Sequence, residues 1–302
     1  MNEPKAPKIS IIFVNYNAAG IFKECLASIK NNVKGVSYEI IAVDDVSTDN
    51  SVEMIRSGFP DVRLVVNEKT LWSTPSQNNA IRMSKGEYLL FLGTDTVVYQ
   101  NSVEKMADFL DKNKDAGAVT SKVFFPNGDF QQNACRDQSL KLGVLNYTFL
   151  GKIFPGAKRK ANDHYTYKGW SWDENHEIDA TGLTNMMMRK SIIEHIGYLD
   201  ENMNYFVEND LCYRIRSDGN KIFYLAEGRI DHHLRGSVSK SNMSTIIRLF
   251  EHDFYQFFKK YYGPSAAFLL KILVSITNIM ISVKNRRRDS IFASFLSKPK
   301  NA

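Results

Sequence analysis

The chain has 302 residues, 43% of them hydrophobic and 24% charged, enough for one large domain or two small ones. Its three cysteines, Cys25, Cys135 and Cys212, have neither paired metal-site spacing nor the density of a disulfide framework, which points to a reducing compartment. The formal net charge is +6, but six basic residues and one acid fall between Lys284 and Ala302, so most of the chain is close to neutral and no general nucleic-acid-binding surface is expected.

Met1 to Lys5 has no apolar signal-peptide core, and secretion is not expected. Strand and helix patterns then alternate at the spacing of a parallel sheet. Ile9 to Val14 reads as a strand, Ile21 to Ile29 as a helix, and Tyr38 to Val43 as a second strand. In the latter, Ile40 to Val43 do not alternate with polar residues, as in a strand buried on both faces. A short helix is expected over Thr48 to Ile55, a strand over Val62 to Val66 and a helix over Ser76 to Met83 that ends near Gly86. Tyr88 to Leu92 is a fourth strand, Val103 to Leu110 a helix, Ala118 to Phe125 a strand, and Pro126 to Asp129 a turn.

Residues 134–176 mix aromatic, basic and glycine residues without a sustained period. A segment covering the substrate and a loop-rich insertion packed by its own aromatics are equally compatible with that composition. The pattern firms at Thr184 to Arg189, a Met-rich strand, followed by a short helix. Leu211 to Ile215 belongs to a helix stopped by Gly219, and Lys221 to Leu225 and Arg229 to His232 read as two short strands. Ile246 to Tyr262 is an aromatic-rich helix ended by Gly263-Pro264. Ala266 to Val283 is then almost wholly apolar but is interrupted by Lys271 and Asn278. A spanning helix needs about 20 mostly apolar residues. A helix lying in the membrane interface, with Lys284 to Arg288 beside anionic headgroups, is the better expectation.

The chemistry-bearing residues stand after strands. Asn15 and Asn17 follow the first, Asp44 and Asp45 the second, and Thr94 and Asp95 the fourth. In an open α/β sheet, ligands bind at this edge. Carboxylates there accept hydrogen bonds from a nucleobase or ribose, or help hold a metal. Each acid alone is more often a helix cap or turn former. Downstream, Glu208 and Asp210 open a helix through Arg214, where the helix dipole favours acids in any case, and His232-His233 follows.

These residues also carry a resemblance. Val43-Asp44-Asp45-Val46-Ser47-Thr48-Asp49-Asn50-Ser51, Asn78-Asn79-Ala80-Ile81 with Lys85 to Leu92, Thr94-Asp95-Thr96, Ile196 to Glu201, Glu208 to Arg214, and His232 with Ser237 together resemble a family 2 glycosyltransferase. The nearest flavour is the rhamnosyltransferase-like branch of bacterial surface-polysaccharide synthesis. The resemblance implies a GT-A-type, Rossmann-like, mostly parallel sheet flanked by helices over residues 8–240. Residues 241–302 would form a C-terminal helical, membrane-associated region. It also implies inverting transfer of a sugar from a UDP- or dTDP-linked donor to a hydroxyl of a glycan or lipid-linked glycan, at the cytoplasmic face of the cell membrane.

In that resemblance Asp44 is the base-recognising acid, and Asp45 either supports it or caps the next helix. Asn15 and Asn17 approach base and ribose, Asn78 lies near the nucleotide, and Gly182 is the small residue beside the donor sugar. Asp95 matches the last acid of an Asp-x-Asp motif whose first acid is replaced by Gly93. Mg²⁺ or Mn²⁺ would rest on Asp95, the phosphates, water and His232, with His233 adjacent. A hydroxyl acceptor needs a general base. Glu208 aligns with it and Asp210 supports it, although reversed roles are open and Val207 stands where a further acid is usual. The missing acids leave a second reading, a non-catalytic nucleotide-sugar binder that scaffolds glycan assembly. A dinucleotide oxidoreductase is excluded, because Asn15 to Gly20 has no Gly-x-Gly-x-x-Gly.

Overall fold

The computed structural model describes residues 6–233, 243–285 and 290–296. Ser237 and the basic residues Arg286 to Arg288 lie outside the described residues. The chain divides into two compact units. One is Met1–Ala134 with Ser171–Glu201 and Leu211–Lys240, and the other is Cys135–Trp170 with Asn202–Asp210 and Ser241–Ala302. The C-terminal helices, expected to begin a region of their own at 241, thus group with two earlier segments.

The strands are β1 (Ile9–Asn15), β2 (Tyr38–Asp44), β3 (Val62–Val66), β4 (Tyr88–Leu92), β5 (Thr96–Val98), β6 (Ala116–Phe124), β7 (Phe130–Gln131), β8 (Ala134–Cys135), β9 (His176–Ile178), β10 (Ala180–Thr181), β11 (Asn185–Arg189) and β12 (Lys221–His232). The helices are α1 (Ala19–Asn32), α2 (Ser51–Gly58), α3 (Ser73–Met83), α4 (Ser102–Lys112), α5 (Leu140–Tyr147), α6 (Leu150–Ile153), α7 (Pro155–Tyr165), α8 (Lys190–Ile196), α9 (Val207–Ser217), α10 (Met243–Tyr262), α11 (Pro264–Asn285) and α12 (Ile291–Leu296).

The main sheet runs β3-β2-β1-β4-β11-β6-β12-β5. Strands β3, β2, β1 and β4 are parallel, β11 is antiparallel to both of its neighbours, and β12 is parallel to β6. This is the mostly parallel, helix-flanked sheet expected from the alternating pattern. Ile9, Ile11 and Phe13 point from β1 into a core shared with Phe22, Leu26 and Ile29 of α1 and Met106 and Leu110 of α4. Those two helices therefore cover one face. Ala80 and Ile81 of α3 are buried outside that core, and α3 packs along β1 and β2 from the other face.

Local differences from the sequence reading have physical causes. Helix α2 starts at Ser51 rather than Thr48, because the N–H groups of Thr48 and Asp49 donate to Asn17 Oδ1 at 2.6 and 3.2 Å in a turn. The two short strands expected over 221–232 are one strand, with a register shift between Leu225 and Arg229. Gly228 takes φ 101° there, a conformation that only glycine adopts readily. Residues 134–176 hold α5, α6 and α7 instead of an irregular segment. Helix α7 buries none of its side chains, so it offers no apolar period to read. Within the second unit Tyr147 is buried against Phe254, with ring centroids 4.8 Å apart. Two of the three tryptophans also pack on rings of their own units, Trp170 on Tyr167 and Trp172 on Tyr224.

Candidate active site

In the first unit the chain leaves β1 toward β2 on one side and later returns to pair β4 on the other. The C-terminal ends of these parallel strands therefore flank a topological switch point, where such sheets bind ligands. Asn15 and Asp44 lie opposite each other in the β1–β2 register. Asn15 Nδ2 donates to Asp44 Oδ2 at 2.7 Å, and the Ser47 N–H donates to Asp44 Oδ1 at 2.8 Å. Both residues are fully buried. Asp45 is buried as well. It accepts from Asn67 Nδ2, the Leu71 N–H and the Trp72 N–H at 2.8, 2.8 and 3.0 Å, and so ties the 67–72 loop to the end of β2. Asp45 caps no helix here; it is the anchor of that loop. Between these acids and Ser47, Val46 is held at φ 62°. For a β-branched residue that backbone is strained, by about 1–3 kcal/mol, and such strain concentrates at functional turns. The half-buried Asn17 and the exposed Tyr16 present the outer surface of this edge.

Asp95 follows β4, and the β12–β5 pairing sets His232 opposite Thr96. His232 Nε2 lies 3.3 Å from Asp95 Oδ1, and both side chains are nearly buried. The His233 N–H donates to the Asp95 carbonyl at 2.9 Å, so the imidazole of His232, not that of His233, reaches the carboxylate. Gln131 Nε2 stands 3.2 Å from His232 Nδ1, while Gln131 Oε1 is buried without a partner. Turned over, that amide would accept from Nδ1–H and leave the Nε2 lone pair facing Asp95. One carboxylate and one imidazole so oriented are donors that Mg²⁺ or Mn²⁺ takes, with the remaining positions left to phosphate oxygens and water. Among the described residues no third His, Cys, Asp or Glu joins them. At Gly93 a Cβ would come 2.8 Å from Asp95 Oδ1, so the Asp95 carboxylate fills the space a first acid would claim. Thr94 is buried beside it. Cys25 also lies below this turn, 3.5 Å from Thr96 Oγ1. Burial pushes its thiol up to about 12, which keeps it protonated and inert.

Asn78, expected near the nucleotide, is spent on the fold. Its Nδ2 donates to the Leu199 carbonyl and Glu201 Oε1 at 2.9 and 2.8 Å, and its Oδ1 accepts from the Leu199 N–H at 3.0 Å. Its amide thus pins the Gly197 to Glu201 segment to α3. Gly182 has space for a side chain, since an added Cβ would meet only Thr184 at 3.6 Å or more. Among the described residues no packing requires glycine there. A cleft of about 520 Å³ opens among Asn17, Gly20, Glu24, Asp49 and His233 on the strand-end side. A hollow of about 610 Å³, lined by Lys8, Lys85, Arg189 and Lys190, lies at the N-terminal edge of the sheet, away from the strand-end acids.

Glu208 and Asp210 belong to the second unit, in the first turn of α9. They are not equivalent. Glu208 is half-buried, whereas Asp210 is fully buried. Asp210 Oδ1 receives Lys260 Nζ at 2.6 Å and the Tyr261 hydroxyl at 2.6 Å. Asp210 is thus closed in by a lysine and a phenol, whereas Glu208 is only half-buried. Helix α10 also braces the approach to this turn. Asp253, fully buried, accepts from the N–H groups of Asn204 and Tyr205 at 2.5 and 2.6 Å.

Sequence reading passed over Lys260, Tyr261 and Asp253. Asp253 was nevertheless signalled, since it falls on the apolar stripe of α10 formed by Ile246, Phe250, Phe254, Phe257 and Phe258. A carboxylate among those side chains needs partners. Lys260→Met should destabilise the protein by roughly 2 kcal/mol, below the ~3–5 kcal/mol of a wholly buried pair because Lys260 is partly exposed. Adding Asp210→Asn should restore most of that loss. Urea unfolding of the single and double variants measures both; equal stability of Lys260→Met and the parent would show that the pair contributes nothing.

Residues 10–197 match the family model described as Glycosyl transferase family 2. The chain is 35% identical over 114 residues to a poly(ribitol-phosphate) beta-glucosyltransferase of Bacillus spizizenii, covering 35% of this chain and 18% of that protein. It is 27% identical over 136 residues to a PGL/p-HBAD biosynthesis glycosyltransferase of Mycobacterium bovis, covering 44% of this chain and 53% of the relative. These matches span only a fifth to a half of the relatives' lengths. Among solved structures, GalNAc-T7 with UDP, GalNAc and Mn²⁺ superposes with a TM-score of 0.58 at 15% identity, over 77% of this chain and 44% of that one. S. aureus TarS superposes with a TM-score of 0.53 at 16% identity, over 81% and 39% of the two chains. At these identities the structural likeness speaks for the fold alone.

Proposed function

We propose, from the premise that the chain belongs to glycosyl transferase family 2, that it moves a sugar from a nucleoside-diphosphate donor to a hydroxyl of a glycan acceptor with inversion. The observation that carries this reading is the Asp95–His232 pair, set on the same sheet edge as the Asn15–Asp44 turn. The names of the Bacillus and Mycobacterium relatives support a place in cell-surface polysaccharide synthesis. The rhamnosyltransferase-like branch and a UDP- or dTDP-linked donor are the finer form of the proposal.

Each residue has a task in this reading. Asn15, Asp44 and Asp45 shape the base-side wall through their internal bonds, and Asn17 faces the base and ribose. Thr94 and Asp95 meet the diphosphate end of the donor. Asn78 acts one step removed, by holding the Leu199 to Glu201 backbone. Gly182 leaves room for the donor sugar. Asp95 and His232 would hold Mg²⁺ or Mn²⁺, which when bound supplies charge stabilisation to the departing diphosphate. Glu208 takes the proton from the acceptor hydroxyl, and attack opposite the leaving group inverts the anomeric carbon. Asp210 keeps the first turn of α9 in place.

The acceptor in this proposal is a lipid-linked glycan, and the C-terminal region meets the cytoplasmic face of the membrane. Helix α11 is long and apolar enough to cross a membrane by length and composition, with a mean hydropathy of 2.0 over Pro264–Val283. The direct test is a panel of nucleotide sugars, scored for thermal stabilisation with and without Mn²⁺ and for nucleoside-diphosphate release. One donor that stabilises the protein and is turned over in a metal-dependent way is the expected result. Tight donor binding without turnover on any acceptor would favour a scaffold instead.

A further inference from the structure

Helix α11 has two unlike faces within the second unit. Leu270, Val274 and Thr277 are buried, and Thr277 Oγ1 accepts from the Phe149 N–H at 2.8 Å. Asn278 Oδ1 accepts from the Ile291 N–H at 2.8 Å. The other face exposes Phe268, Leu269, Ile279, Met280 and Val283 at 67, 57, 64, 53 and 74%. A spanning helix standing alone would be ringed by lipid. This one is bonded into its own unit along one side, and crossing a bilayer would strip those partners away. Its exposed side is instead suited to lying in the interface, where Lys271, also exposed, keeps its ammonium in water.

A second exposed apolar point lies in the same unit. At the corner between α6 and α7, Ile153 and Phe154 are adjacent and 57 and 54% exposed. Lys152, Arg159 and Lys160 are exposed around them. Phe149, whose N–H is bonded to Thr277 of α11, immediately precedes α6, so the corner is tied to the apolar helix. Apolar tips ringed by cations match the boundary between acyl chains and anionic headgroups.

We infer that the α6–α7 corner is a second membrane contact, in which Ile153 and Phe154 enter the headgroup boundary and Lys152, Arg159 and Lys160 meet anionic lipid. The inference rests on the proposed membrane contact of the C-terminal region. Seated this way, the second unit lies on the bilayer, and its base-bearing turn is held by α10, which packs on α11.

The full chain is to be sedimented with phosphatidylcholine vesicles, with and without phosphatidylglycerol. Three variants accompany it: Lys152→Glu/Arg159→Glu/Lys160→Glu, Ile153→Ser/Phe154→Ser, and Ile279→Ser/Val283→Ser. Melting curves confirm that each is folded. The parent should prefer the anionic vesicles, and the triple charge variant should bind them at least roughly a hundredfold less, from about fivefold for each of the three lost cations. Ile153→Ser/Phe154→Ser should lose about tenfold or more. If only the α11 variant loses binding, the corner is not a contact, while the C-terminal membrane reading stands. A parent that binds neither vesicle overturns both. A parent that self-associates through the corner and ignores lipid makes it a protein interface and also overturns the inference.

Discussion

Glu208→Gln lowers sugar transfer by roughly 10²- to 10⁴-fold, the usual contribution of a positioned general base, while donor binding stays at the parental level. Glutamine keeps the shape and hydrogen-bonding reach of the side chain and removes only its capacity to take a proton. The half-buried position of Glu208 in the first turn of α9 makes the substitution structurally mild. Asp210→Asn behaves differently. Asp210 is enclosed by Lys260 and Tyr261, so its loss appears first as reduced stability and only secondarily as reduced turnover. Steady-state kinetics with urea unfolding of both variants separate the roles. Full activity in Glu208→Gln would remove Glu208 from the chemistry, and an activity loss without a stability loss in Asp210→Asn would exchange the assignments.

Asp95→Asn cuts turnover by about a thousandfold, equivalent to about 4 kcal/mol of lost charge stabilisation. It also shifts the metal concentration needed for half-maximal activity upward. The fold should persist, because the His233 N–H bonds the Asp95 backbone carbonyl, which the substitution keeps. Gly93 cannot compensate, since it has no side chain and the Asp95 carboxylate already lies over it. Titration of Mn²⁺ by its effect on melting temperature gives a readout independent of turnover. A variant with parental metal response and parental rate would place the diphosphate somewhere other than Asp95 and His232.

Much of the first unit was legible in the chain. Ile40 to Val43 and Tyr88 to Leu92 are unbroken apolar runs, and only a sheet covered on both faces buries such strands. Their C-terminal ends carry Asp44, Asp45 and Asp95, so the functional edge followed from strand direction alone. The helices at 140–165 were not legible, because α7 is polar all round and α5 spans only two turns. Neither offers the repeated apolar spacing that marks a helix.

Which partners the motif residues take could not be read from residue type. Asp44, Asp45, Asn78 and Asp210 all match motif positions, and each is bonded to neighbours brought from elsewhere. Asn78 is bonded to residues more than 120 positions away, and Asp210 to residues about 50 positions away.

The sequence by itself determined the sheet, its strand direction and the row of polar residues at one edge, since these follow from local hydrophobic patterning and the right-handed connection of parallel strands. The resemblance already grouped Asp95 with His232; the tertiary structure decided that it is the His232 imidazole that lies 3.3 Å from Asp95, that Gln131 stands behind it, and that Lys260 and Asp253 hold the α9 turn. Those pairings depend on long-range register and on burial, where an unpaired charge is costly, and no spacing along the chain encodes them.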